Sequence, residues 1–495
     1  VWSINDFYSL AGPIELKQLT RLESGIEGLD TLLRGGFVAG ASYIIQGRPG
    51  SGKTILANQI AFNHVRKGER VLFATLLSES HERMFQFLST LSFFDHSQIG
   101  GDIQYLSAFD TMEQEGLEPV VKLLRREISR QKATLLVVDG LLNARSRAET
   151  PLDTKRFIAE LQAHAAFANC TVLFLTSSRL DDGSPELTMV DGVLDVGEEL
   201  RGVRSIRRMS LRKTRGSPAI AGLHEYQITE DGFVVYPRLE AVYNTPYRPE
   251  QIDERRVGTG LTSFDQMLAG GLSRSSISLL MGPSGSGKTS MGLSFIAQSS
   301  LEEPGVIFGF YETPDRLRIK ARSMGLDLGG LIDSGAVHIH WQPTIELQLD
   351  QVGHQIIDEV RRLKARRLLI DSLGTIARMA SKEDRLMEFF TALTNQLRSM
   401  GVTVYGTWEM KDLFGSDIHA PAPELSGITD NLFMMRFAEM NAELKRVISI
   451  LKVRDSHFDP SLREIVISDS GIDLAKAFRN AEMVLSGSAT SNSQG

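Results

Sequence analysis

One cysteine stands among 495 residues, Cys170, inside the apolar run NCTVLFL. A single thiol cannot make a disulfide within the chain, and such sparing use fits a reducing compartment. Cys170 itself reads as a small buried hydrophobe at the start of a strand. Long apolar runs are also missing: none reaches the roughly 18 residues of a membrane-crossing helix, and the opening VWSINDFYSL has neither the basic flank nor the apolar core of a signal peptide. A cytoplasmic protein without a membrane partner is expected. Basic residues are in deficit, 54 Lys and Arg against 61 Asp and Glu, a formal net charge of −7. A chain whose main business is to coat nucleic acid carries the opposite bias. What remains is ordinary for a folded chain, 42% hydrophobic and 23% charged, and too long for one comfortable core, so two or more domains are expected.

An internal repeat supplies those domains. RLESGIEGLDTLLRGGFVAGASYIIQGRPGSGKT, from Arg21, lies without a gap over RVGTGLTSFDQMLAGGLSRSSISLLMGPSGSGKT, from Arg256. The register continues: LLVVDG, ending at Asp139 and Gly140, matches RLLIDS at Asp371 and Ser372; TVLFLTSS, through Thr176, matches VTVYGTWE, through Thr407; LRKTRG with Lys213 and Arg215 matches LKVRDS with Lys452 and Arg454. A period this long is a whole domain, not a solenoid unit. The expected organisation is a first domain over 1–240, a linker over 241–255 containing two prolines and several acidic residues, a second domain over 256–475 and a tail over 476–495. In each copy short runs rich in Val, Ile, Leu and Phe alternate with amphipathic stretches such as PVVKLLRREISRQK, which predicts buried parallel strands covered by helices. VRSIRRMSLRKTRG running into HEYQITEDGFVVY predicts an antiparallel extension. The fold class is α/β, two tandem P-loop domains, each a mainly parallel sheet flanked by helices.

GRPGSGKT at 47–54 and GPSGSGKT at 282–289 each follow an apolar strand and open a helical stretch. Glycines let successive backbone N–H groups turn toward phosphate oxygens, and the helix directs its positive N-terminal end at the same place. Gly47, Gly50, Ser51, Gly52 and Lys53, with Gly282, Gly285, Ser286, Gly287 and Lys288, are therefore assigned to the phosphates of ATP, and Thr54 and Thr289 to Mg2+. Asp139 and Asp371, each closing an apolar strand, complete the two magnesium sites. Cutting the nucleotide needs a base as well. Glu79 in SESHERM and Glu312 in YETPDRL hold equivalent places after the second strand and are the candidates. Ser78 is small and polar where Tyr311 is bulky, so the first domain is expected to admit the attacking water more readily and to dominate turnover.

These residues resemble the KaiC family, the RecA-like circadian-clock ATPases: both P-loops, GIEGLD and GLTSFD with their Gly-Gly turns, ETPDRL, and Lys-x-Arg near each domain end. The tail from Phe478, FRNAEMVLSGS, looks like the family's channel-lining segment. The resemblance implies RecA-like domains in a homohexameric double ring with ATP at subunit interfaces, where Lys213, Arg215, Lys452 and Arg454 reach a neighbour's nucleotide, and Kai-type signalling partners. Clock members carry two consecutive glutamates after the second strand; here Ser78–Glu79 and Tyr311–Glu312 stand there. Ser426 lies where the family's phosphoserine lies, Gly427 takes the place of the threonine, and Thr429 is a second hydroxyl nearby. Serine/threonine autokinase activity in the second domain would therefore use Ser426 or Thr429. Two further readings remain beside a signalling ATPase: a nucleic-acid motor, which the negative charge disfavours, and a nucleotide-locked scaffold with negligible turnover.

Overall fold

In the computed structural model the described residues are 19–148, 150–181, 183–244, 255–380, 383–410, 425–440, 443–454, 456–468 and 471–475, with 477, 481–482 and 490–491 beyond them. Most of the expected linker, and most of the tail from Phe478, lie outside the described residues. The chain divides into two compact units at Pro237/Arg238, slightly before the expected end of the first domain at 240. The cause is local. Leu239 is fully buried in the second unit's core, its N–H donates to Asp350 at 3.1 Å, and Arg385 bonds both carboxylate oxygens of Glu240 at 2.7 and 2.9 Å.

Each unit is built on a nine-stranded sheet with the same order. In the first, the strands run Ile103–Ser107, Val71–Thr75, Leu135–Asp139, Thr171–Thr176, Ser42–Gln46 and Gly192–Arg201, all parallel; Arg204–Thr214, Leu223–Thr229 and Gly232–Tyr236 then continue antiparallel. The second repeats this with Val337–Trp341, Gly305–Gly309, Arg367–Asp371, Thr403–Glu409, Ile277–Gly282 and Asn431–Met440, followed by Glu443–Val453, Arg463–Ser468 and Gly471–Leu474.

The central strands Ser42–Gln46, Val71–Thr75, Leu135–Asp139 and Thr171–Thr176 are buried at every position. That is why they read as unbroken apolar runs: a parallel sheet covered on both faces has no polar side. Helix Leu117–Gln131 presents Val120, Val121, Leu124 and Ile128 to one face, positions that share a side of a 3.6-residue repeat. Each fully buried aliphatic side chain contributes roughly 1.5–3 kcal/mol relative to exposure. The helix ends at Lys132, whose φ of +54° is left-handed and stops further turns.

Candidate functional site

In both units the loop joins the end of the central strand to the start of a helix, Lys53–Val65 or Lys288–Ile296. Gly50 and Gly52 (φ +82° and +89°), and Gly285 and Gly287 (φ +76° and +104°), hold left-handed conformations that other residues rarely adopt. Space decides Gly47: a Cβ there would lie 2.0 Å from the Val196 carbonyl oxygen. Lys53 Nζ donates to the carbonyls of Gly47 and Arg48 at 2.8 and 3.0 Å, and Lys288 Nζ to those of Gly282 and Pro283 at 2.8 and 2.7 Å. Each ammonium is thus folded over its own loop. Burial pushes both below the ordinary lysine value, opposed for Lys53 by the charge of Asp139 and for Lys288 by those of Glu409 and Asp371. Ser51 and Ser286 are buried beneath the loops, Ser286 Oγ donating to the Pro283 carbonyl at 2.8 Å.

The cation positions also assemble. Thr54 Oγ1 donates to Asp139 Oδ2 at 3.2 Å and Thr289 Oγ1 to Asp371 Oδ2 at 2.8 Å. A hydroxyl beside a carboxylate at the first turn of a phosphate-binding helix is the oxygen donor set a hydrated Mg2+ takes, with the phosphates completing it. The residues therefore fit ATP and Mg2+. The two acids differ in setting. Asp139 is buried, which pushes its carboxyl up to about 6; the Thr54 hydroxyl, the Lys53 charge and the Gly140 N–H oppose this. Asp371 accepts a second hydroxyl bond, from Thr407. The sequence alignment of Thr176 with Thr407 is one residue out of step: Leu135 pairs with Thr171 as Arg367 pairs with Thr403, so Leu175 stands where Thr407 stands. An aliphatic residue offers Asp139 no such bond.

The glutamates diverge further. Thr75 and Gly309 sit at the same level, opposite Asp139 and Asp371, yet the following helix starts just after Ser80 in one unit and just after Thr313 in the other. The first unit's connection is one residue longer. Its extra residue leaves Glu79 off the cleft lining: the side chain is 52% exposed and lies 3.4 Å from Arg83, with its charge still felt by Asp139, while Leu77 lines the first cleft, of about 330 Å³. Glu312 lines the second cleft, of about 460 Å³, bound by the Lys320 ammonium. The geometry thus opposes the expectation that Ser78 and Glu79 make the first domain the better hydrolytic site.

The remaining candidates gather elsewhere. Strand Gly192–Arg201 runs parallel to the P-loop strand, with Gly192 opposite Tyr43, and Lys213 pairs with Val193 at its start. Lys213 Nζ donates to the carbonyls of Leu187 and Val190 at 2.8 and 2.7 Å, and Arg215 to that of Thr188 at 3.0 Å. Lys452 Nζ likewise binds the Ser426 and Thr429 carbonyls, and Arg454 that of Gly427 at 2.8 Å. These cations sit where the strands begin; the P-loops sit where they end. The structure does not bring them to their own unit's P-loop. Ser426 lies on the same edge and is exposed. Thr429 is 3% exposed and its hydroxyl donates to the Leu425 carbonyl at 3.2 Å, so of the two hydroxyls Ser426 is the accessible one. Sequence reasoning missed Glu409 as a cleft residue and Thr407 as a partner of Asp371; they close an apolar strand just as Asp371 does, but only strand order puts them beside the P-loop strand.

Two phosphate-binding loops, each with a lysine, a hydroxyl and a strand-end aspartate on a 3-2-4-5-1-type neighbourhood of parallel strands, define a tandem P-loop ATPase of RecA-like topology. The KaiC ATPase family model matches residues 22–240 and 257–478, and the chain belongs to that family. Among similar curated proteins are the circadian clock oscillator protein KaiC of Parathermosynechococcus lividus, 26% identical over 96% of this chain and 89% of that one, and that of Synechococcus elongatus, 24% identical over 96% and 93%. KaiC 1 of Synechocystis is 26% identical over 96% and 92%.

Proposed function

We propose that the protein binds and hydrolyses ATP in both domains, assembles as a homohexameric double ring, and acts in the cytoplasm as a signalling or timing module with Kai-type partners. The observation that carries the assembly is the separation of Lys213, Arg215, Lys452 and Arg454 from their own P-loops. Cations at the strand-start edge reach a phosphate only when a second copy presents its strand-end edge to them, so each site is completed by a neighbour. Timing is supported by the clock oscillator proteins among the relatives.

Within a cleft the P-loop glycines leave backbone N–H groups free to face phosphate oxygens, and Lys53 or Lys288 swings from its loop carbonyls onto the outer phosphates. Thr54 with Asp139, and Thr289 with Asp371, would hold Mg2+, which would supply charge neutralisation to the phosphates. Glu312 lines the second cleft and can orient a water toward the γ-phosphorus. Ser426, on the edge that faces the neighbour, is the acceptor for phosphoryl transfer between subunits; Gly427 leaves no second hydroxyl beside it, so one phosphorylated state is expected where a Ser-Thr pair allows an ordered series. The test is purified full-length protein, sized with and without ATP and Mg2+, with free phosphate counted. Nucleotide bound only by the assembly shifts monomer to ring by mass action; a monomer under both conditions refutes the ring, and bound ATP without phosphate release leaves the scaffold reading.

A further inference from the structure

The second cleft holds a carboxylate that the first lacks. Glu409 closes strand Thr403–Glu409, directly opposite Gly282, the first residue of the P-loop, and the next residue's N–H donates to the Gly282 carbonyl at 3.0 Å. Strand order therefore sets Glu409 between the P-loop and Asp371, while Glu312 lies on the far side of Asp371. All three carboxylates line the same cleft with Lys288 and Thr289. Below Glu409, Trp408 is buried, 9% exposed, against Gly374, which fixes the strand end. The first-domain counterpart of Glu409, by the register of Thr171 with Thr403, is Ser177.

The two cleft glutamates are not equivalent. Glu312 is bound by the Lys320 ammonium. Among the described residues the Glu409 carboxylate makes no hydrogen bond or ion pair, and its charge acts on Lys288 more strongly than that of Asp371 does. When Lys288 turns to the phosphates, Glu409 is left facing the same phosphate end with its lone pairs unoccupied. Tyr311 meanwhile stands beside Glu312, its hydroxyl bonded by Arg378, and offers no carboxylate.

We propose that Glu409 is the proton-accepting residue of the second cleft. It takes the proton of a water that Glu312 helps to orient; the water oxygen bonds to the γ-phosphorus as the bond to the β,γ-bridging oxygen breaks, the electron pair leaves with ADP, and the proton passes from Glu409 to solvent. This deepens the reading of the second cleft as an ATPase site and rests on it. A positioned acid–base group contributes typically about 10²–10⁴-fold, so Glu409→Gln in the full-length protein should abolish the share of phosphate release that Lys288→Ala abolishes. The double variant should release no less than Lys288→Ala alone, Glu409→Asp should retain part of the rate, and affinity for a non-hydrolysable ATP analogue should stay within about twofold of wild type, since the role is in the reaction and not in binding. A wild-type rate in Glu409→Gln beside a clear loss in Lys288→Ala overturns the role of Glu409 alone. Weakened analogue binding with an unchanged saturated rate also overturns it, making Glu409 a counter-ion of Lys288. An unchanged rate in Lys288→Ala overturns the second-cleft ATPase and this role together.

Discussion

Asp139→Asn should make the nucleotide-free protein more stable and its first site non-functional. Burial pushes the Asp139 carboxyl from an ordinary 3.8 up to about 6. At 1.36 kcal/mol per pH unit, holding it ionised in the fold costs about 3 kcal/mol. Below about pH 4 the group is protonated folded or unfolded and the cost is absent. Between about 4 and 6 the folded state holds the proton that the unfolded state has released, so stability falls as pH rises. Above about 6 the full cost remains until a cation at Thr54 and Asp139 offsets it. Asparagine keeps an acceptor for the Thr54 hydroxyl and carries no charge. At pH 8, without nucleotide, the first unfolding transition of the variant should therefore rise, by up to roughly 6–12 °C at about 2–4 °C per kcal/mol for a domain of this size, and the gain should vanish toward pH 4. Adding ATP and Mg2+ should stabilise the wild type and leave the variant's first transition unmoved. Scanning calorimetry across pH 4–8 reads both. A variant no more stable than wild type at pH 8, or a gain independent of pH, refutes the burial cost as its source.

Lys288→Ala should remove more phosphate release than Lys53→Ala, because Glu312 lines its cleft while Glu79 is half exposed and held by Arg83; equal losses would mean that the nucleotide-bound first site redirects Glu79. Arg385→Ala leaves Asp350, which is fully buried, without its guanidinium and releases Glu240; a loss of about 3–5 kcal/mol is expected, read as an earlier second transition in the same calorimetry, with Arg385→Lys less harmful. Intact-mass measurement after ATP incubation should show one added phosphate that Ser426→Ala eliminates; a phosphate persisting in that variant would place the acceptor elsewhere, and Thr429→Val should leave the label unchanged because that hydroxyl is buried.

How much was legible follows from how local each determinant is. A P-loop is one continuous segment in which glycine, lysine and threonine each meet a need of the same turn, so GRPGSGKT and GPSGSGKT announce their chemistry without a fold. The repeat, the buried parallel strands and the strand-end aspartates were legible for a related reason: a strand covered on both faces must be apolar throughout, and the carboxylate that ends it stands out. The tandem α/β architecture and the KaiC likeness followed from such segments. What sequence could not decide is which strand ends become neighbours. The one-residue difference between Thr75–Ser80 and Gly309–Thr313 is invisible in a motif that aligns Glu79 with Glu312, yet it keeps one carboxylate off the cleft lining and leaves the other in the cleft, because a side chain's direction depends on the count of residues between two anchored elements. Strand order alone, again, sets Glu409 and Thr407 beside a P-loop strand more than a hundred residues away in the chain, and sends Lys213, Arg215, Lys452 and Arg454 to the opposite edge. Sequence by itself determined what each segment can bind; the tertiary structure decided which segments share a cleft, since that depends on the hydrogen-bonding partners of each strand and on the loop lengths that deliver them.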